Sequence, residues 1–167
     1  MTTPHAPLTP ARCQGHWAFA NSLALLALRL MLGWVFVYHG SQKLFGAFDS
    51  HITMEGFAGM LHLPVLPPIV WAYMAAGSEF GCGLLIMLGL LTRLAAIPLI
   101  ITMLVAIATV TGGKGFSGYE LNLTLIAIGV ALMLTGAGLI SLDALIFKRS
   151  IFACGPQPLD QPEKRVA

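Results

Sequence analysis

The stretch SLALLALRLMLGWVFV, residues 22–37, decides the fold. It is apolar throughout except for Arg29 near its middle. The stretch IVWAYMAAGSEFGCGLLIMLGLL, residues 69–91, repeats the anomaly with Glu79. A spanning helix needs about 20 mainly apolar residues, so both read as membrane spans. A charge near the bilayer centre costs at least about 2.5–3.5 kcal/mol on insertion scales. Arg29 and Glu79 must therefore be paired, hydrated or put to use, and the bundle interior is where function is to be sought.

Composition agrees. The 167 residues make one domain's worth of chain, 57% hydrophobic and only 10% charged, against about 25% charged in soluble domains. A formal net charge of +2 leaves no nucleic-acid footprint, so the expected partner is the lipid bilayer. The fold class is all-α, an integral membrane four-helix bundle. Its spans are read at about 21–45, 69–91, 94–111 and 121–140. Residues 1–20 form a polar N-terminal tail, 21–147 the membrane domain and 148–167 a disordered tail. The first span lacks a small-residue cleavage pattern after it and is read as uncleaved.

Bases set the orientation. Arg12, Arg93, Lys148, Arg149, Lys164 and Arg165 fall on one side, and Lys43 and Lys114 on the other. The positive-inside rule places both termini in the cytoplasm, and the expected location is the bacterial inner membrane. Thr92-Arg93 is the tight link between spans two and three. Residues 54–61 of the first outer loop mix apolar and polar groups and read as an interfacial or re-entrant helix. The glycine-rich loop at 112–118 lacks the spacing and the preceding strand of a phosphate-binding loop.

Helices in lipid associate through small residues. Gly77 and Gly81 offer a small-xxx-small pair in span two, with Gly33 and Gly40 in span one and Gly129 in span four. Pro98 is expected to distort span three.

The polar residues form the candidate site. Arg29, Gly33, Phe36, Gly40 and Lys43 share one face of span one, flanked by His39 and Gln42. A rise of about 1.5 Å per residue puts Glu79 level with Val35, between Arg29 and His39. Glu79 then pairs with Arg29 or with His39, and a structural role weighs evenly against a functional one. Arg29 either joins it or snorkels to the headgroups, and Lys43 is expected to snorkel at the outer interface. Glu120 and Asn122 open span four near Lys43 and His39. Cys13, Cys82 and Cys154 form no CxxC pair, and His39, His51 and His62 match no metal-ligand spacing. No metal and no encoded cofactor are expected.

Two blocks carry a resemblance. Arg29-Leu-Met-Leu-Gly33 with Phe36-Val-Tyr-His39-Gly40-Ser-Gln-Lys43-Leu-Phe-Gly46, and Glu79-Phe-Gly-Cys-Gly83 with Gly89-Leu-Leu-Thr-Arg93-Leu-Ala-Ala, resemble the signatures of the DoxX family of small bacterial membrane proteins. The likeness covers about residues 25–142. It implies a four-span membrane domain and, from some relatives, quinone-linked oxidation or an oxidative-stress oxidoreductase complex. The expected role is an accessory or anchor subunit, with a soluble oxidoreductase partner on the cytoplasmic face and a homo-oligomer as a further possibility. Quinone contacts would come from Phe36, His39, Gln42, Glu79 and Asn122, within a polar cluster of Glu79, Arg29, His39 and Lys43. The competing readings are a non-catalytic chaperone or assembly factor, and a small transporter using the intramembrane Glu79.

Overall fold

The computed structural model describes residues 11–48, 51, 53–61 and 63–147; the expected disordered tail at 148–167 lies outside them. Six α-helices follow in order: α1 (Ala11–Phe45), α2 (Met54–Gly59), α3 (Pro68–Leu88), α4 (Thr92–Ala106), α5 (Phe116–Thr135) and α6 (Leu142–Phe147). A π-helical turn at Ile107–Thr111 and a 3-10 turn at Gly112–Lys114 extend α4. Four stretches are long and apolar enough to cross a membrane: Phe19–Phe45, Pro68–Leu88, Thr92–Lys114 and Phe116–Thr135. The first helix begins at Ala11, inside the segment assigned to the N-terminal tail.

Helix ends follow local chemistry rather than hydropathy. Pro68 opens α3, its fixed φ suiting a first helical turn. Gly89 closes α3 at φ +71°, and the Leu90 amide reaches back to the Leu85 carbonyl at 2.9 Å, the hydrogen-bond pattern of a Schellman cap. The α3–α4 link is therefore Gly89-Leu90-Leu91, and Thr92, expected in the link, starts α4. Span four is shifted likewise: α5 begins at Phe116 and stops at Thr135. Gly136 and Gly138, at φ +83° and +76°, take the chain out of the helix before residue 140. Pro98 lies inside α4 without ending it, and the Thr102 hydroxyl donates to the Pro98 carbonyl at 2.9 Å.

Helices α1 and α3 form the tightest contact. A Cβ on Gly40 would stand 2.5 Å from the Phe80 amide nitrogen, and one on Gly33 would stand 2.7 Å from the Gly83 carbonyl oxygen. Residue numbers rise on one helix as they fall on the other, so the pair is antiparallel. The buried positions of α3 are Ala72, Ala76, Glu79, Gly83 and Ile86, spaced alternately four and three, one stripe of a helix. Gly77 and Gly81 fall off that stripe, and a Cβ on either would meet nothing within 4 Å. The expected small-xxx-small contact is thus made by Gly33, Gly40 and Gly83 instead.

The core gathers Leu32, Phe36, Ile86, Leu99, Met103 and Leu132 from α1, α3, α4 and α5. The expected first-loop segment 54–61 contains the short helix α2. The Thr53 side chain caps it by accepting from the Gly56 amide at 3.1 Å, and Ala58 and Leu61 bury against Ala72 of α3.

Gly40→Ala should destabilise the bundle by about 1–3 kcal/mol, the usual cost of forcing a methyl into a packed contact. Gly77→Ala should be neutral. Thermal unfolding of the two variants in mild detergent compares them directly; equal losses would contradict the assigned helix faces.

Candidate functional site

The register of α1 on α3 decides how the buried charges meet. Gly40, not Val35, stands opposite Phe80, so Glu79 lies more than a turn further along α1 than equal span ends predict. That brings it to Lys43. The Lys43 ammonium donates to both carboxylate oxygens of Glu79, at 2.7 and 2.6 Å. The Glu79 side chain is 2% exposed and that of Lys43 15%, so Lys43 turns inward instead of snorkelling. The Phe57 ring of α2 lies over the ammonium, 4.4 Å from nitrogen to ring centroid, a cation–π contact. Neither expected partner of Glu79, Arg29 or His39, is bonded to it.

Arg29 serves the other end of the bundle. It is 1% exposed, so it does not snorkel. Its guanidinium donates to the Ala137 carbonyl at 2.5 Å and the Ile140 carbonyl at 2.6 Å. The Leu139 amide donates to Ser22 of α1 at 3.3 Å. These bonds fasten the segment after α5 to α1, supplying donors to carbonyls of the non-helical chain between α5 and α6. Gly89 leaves space for this guanidinium, which an added Cβ there would strike. The Arg29 Nε has no partner among the described residues.

Beside the Lys43–Glu79 pair lies a cavity of about 570 Å³. Its walls come from α1, α2, α3, α4, the π-helical turn and α5. Of the candidate residues it gathers Phe36, His39, Lys43, Glu79 and Asn122; Gln42, Arg29 and Glu120 are not in the wall. Most of the lining is apolar, including Trp71, Met74, Ile101 and Leu125. Exposed Met74 and Ile101 mark a side of it, between α3 and α4, that faces the bilayer. The polar groups are few. Ser78 and Thr102 bond across α3 and α4 at 3.1 Å, and the Asn122 amide donates to the Met103 sulfur at 3.5 Å, a weak acceptor. His39 is exposed and packs edge-on against Tyr38, with ring centroids 5.5 Å apart.

Phe57, Trp71, Ser78 and Thr102 were outside the sequence-based site. The two hydroxyl residues had a signal, being polar groups inside apolar spans. Phe57 had none, because nothing local to α2 says that it folds over α1.

A family model matches residues 24–112, and its description is DoxX. The chain belongs to the DoxX family. The match takes in both charged helices and the whole Lys43–Phe57–Glu79 contact. Among its relatives is a protein of Bacillus subtilis strain 168 named "Putative oxidoreductase CatD", 33% identical over 127 residues, covering 75% of this chain and 89% of that protein. An uncharacterized membrane protein of Mycobacterium tuberculosis is 32% identical over 146 residues, covering 79% of this chain and 86% of the relative. An uncharacterized protein of Haemophilus influenzae is 32% identical over 132 residues, with coverage of 77% and 86%. No solved structure gives a significant match. This DoxX protein is thus a multi-pass membrane protein whose family match contributes most of the wall of a largely apolar cavity holding a charged pair.

Removing one partner of a buried ion pair strands the other, at a typical cost of about 3–5 kcal/mol, whereas replacing both by apolar groups is often neutral. Lys43→Met should therefore unfold at markedly lower temperature than the wild type. Adding Glu79→Met should recover most of the loss. Melting in detergent measures both; an additive double variant would contradict the pairing.

Proposed function

We propose that this DoxX protein is the membrane subunit of a redox complex, and that its cavity receives the head of a lipid-soluble quinone. The observation that carries the reading is the Lys43–Glu79 pair on the wall of a mostly apolar cavity of about 570 Å³. Small-molecule pockets hold about 300–1,000 Å³ and combine apolar walls with a few convergent polar groups, which fits a ring with polar oxygens and an apolar tail. The oxidoreductase name of the Bacillus subtilis relative supports the same class.

A quinone supplies a two-electron, two-proton acceptor confined to the bilayer. The residues of this chain would do the rest. Lys43 donates a hydrogen bond to a ligand oxygen. Glu79 would fix the ammonium at the wall through its two hydrogen bonds, and a proton that Lys43 gives to the reduced ligand would be replaced from water. His39, exposed at the wall, exchanges protons with water. The apolar lining keeps water from the head, and the side between α3 and α4 admits the ligand from the lipid. Electrons would come from a partner oxidoreductase that meets the bundle at the end where Lys43 lies, which the positive-inside rule sets opposite both termini, in a bacterial inner membrane.

Trp71 lines the cavity and gives a direct readout. In a Trp17→Phe, Trp34→Phe background, a short-chain 1,4-benzoquinone should quench Trp71 saturably. Lys43→Met with Glu79→Met, the pair of changes expected to stay folded, should weaken that binding about tenfold or more, on the order of the loss of one charge-assisted hydrogen bond. Unchanged binding by the double variant would remove the pair from the site, and no saturable quenching of the wild type would remove the quinone.

A further inference from the structure

Polar groups around the cavity form one chain of contacts across four helices. The Lys43 ammonium of α1 meets Glu79 of α3 at 2.7 and 2.6 Å. Next to Glu79 on α3, Ser78 meets Thr102 of α4 at 3.1 Å. Next to Thr102 on α4, the Met103 sulfur accepts from the Asn122 amide of α5 at 3.5 Å. All six residues line the cavity. Lys43 and Asn122 are the two ends of the chain.

The middle of the chain is spent. The Ser78 hydroxyl lies 2.8 Å from the Ala75 carbonyl, and that of Thr102 lies 2.9 Å from the Pro98 carbonyl. Two hydroxyl protons thus serve three contacts, and none is left over for a ligand. The ends are different. Lys43 has three N–H donors, and Glu79 takes two of them. The third has no hydrogen-bond acceptor among the described residues. Asn122 offers two N–H donors and a carbonyl oxygen, and its one hydrogen-bond partner among the described residues is a thioether. A Lys43 N–H and the Asn122 carbonyl oxygen are natural partners, yet no bond joins them. The two face the same cavity from different helices. Burying a carboxamide without good partners is costly, and a leucine at 122 would pack against Met103 without that cost. Packing therefore gives no reason for Asn122, whereas a polar group entering the cavity does.

We propose that the cavity holds its ligand at two points. One ring oxygen accepts the third N–H of Lys43, and a second, on the opposite edge of the same ring, meets the carboxamide of Asn122. The site then selects a 1,4-dioxygenated ring over a ring with a single oxygen. Asn122 donates to a carbonyl and accepts from a hydroxyl, so it serves the oxidised and the reduced ring alike. This rests on the quinone reading of the cavity and adds a second point of attachment to it.

Two probes of equal chain length separate the ends: a short-chain 1,4-benzoquinone, and a cyclohexenone with the same chain and one ring oxygen. Quenching of Trp71 in the Trp17→Phe, Trp34→Phe background reads the quinone, and displacement of the quinone reads the cyclohexenone. Asn122→Leu should weaken quinone binding about fivefold or more, the loss of one hydrogen bond. The cyclohexenone should stay within about twofold, because its oxygen goes to the charged donor at Lys43. Lys43→Met with Glu79→Met should weaken both probes. Asn122→Ala, which neither crowds the cavity nor bonds, should reproduce the split between the probes. Equal weakening of both probes by the Asn122 variants would make Asn122 a matter of cavity shape and overturn the proposal. Quinone binding unchanged in both Asn122 variants would overturn it too. Either result leaves the quinone site of the wild type standing, whereas a wild type without saturable quenching removes the quinone and the two-point site together.

Discussion

Glu79 is the group that the structure has to accommodate. A carboxylate with 2% of its side chain exposed, inside a membrane-spanning helix, cannot reach water and is too short to reach the headgroups. The group brought to it is the ammonium of Lys43. The requirement fixes α1 against α3 in both depth and rotation, because a shift of α1 by one turn would carry Lys43 beyond bonding distance at about 5.4 Å per turn. Close approach makes the bond possible. Gly40 lets the α1 backbone touch the α3 backbone at Phe80, less than one turn from Lys43, and Gly33 and Gly83 repeat the contact further down. Helix packing and ion pairing are therefore one constraint, met by small residues on one side and a long cation on the other.

Helix α1 carries a second buried cation, and the contrast with Lys43 is informative. Arg29 sits roughly 21 Å further along the helix at about 1.5 Å per residue. It meets backbone carbonyls rather than a carboxylate. Its planar fork reaches two carbonyls beyond the end of α5, a task for which a point charge is less suited. This end of the bundle is closed by the Schellman turn at Gly89, by Arg29, and by Asp143, whose carboxylate accepts from the Leu91 amide at 3.0 Å. Toward the far end, α1, α2, α3, α4 and α5 all contribute to the wall of the cavity, and Phe57 of α2 stands beside Lys43 there.

Much of this was legible in the sequence. Apolar runs gave the four spans, the mixed pattern of residues 54–61 gave α2, and the two family blocks held Phe36, His39, Lys43 and Glu79 of the cavity wall. Four of the five expected quinone contacts do line one cavity: Phe36, His39, Glu79 and Asn122. What was not legible was register. Levelling the span ends placed Glu79 beside Val35 and offered Arg29 or His39 as its partner. The true offset depends on where glycines let two backbones touch, a property of both helices together. The same gap hid the role of Phe57 and misassigned Gly77 and Gly81, whose spacing suits a helix contact but whose face does not meet one. Helix ends erred for a more local reason, since hydropathy continues through Leu90-Leu91 and through Leu139-Ile140 while the glycines before them have already turned the chain.

Stability alone gives no reason for a lysine and a glutamate at this place. Well-packed apolar side chains of equal volume hold helices together at least as well as a buried ion pair. Arg29 answers that objection by its partners, since it satisfies carbonyls that would otherwise be orphaned in an apolar setting. Lys43 and Glu79 satisfy only each other. Each exists because of the other, and removing both would leave no backbone group unpaired. Their position gives the reason that their energetics do not. They stand on the wall of a cavity rather than in the sealed core, against Phe57 of a short helix rather than a long one. That placement, and not a gain in stability, is what supports reading the cavity as a ligand site.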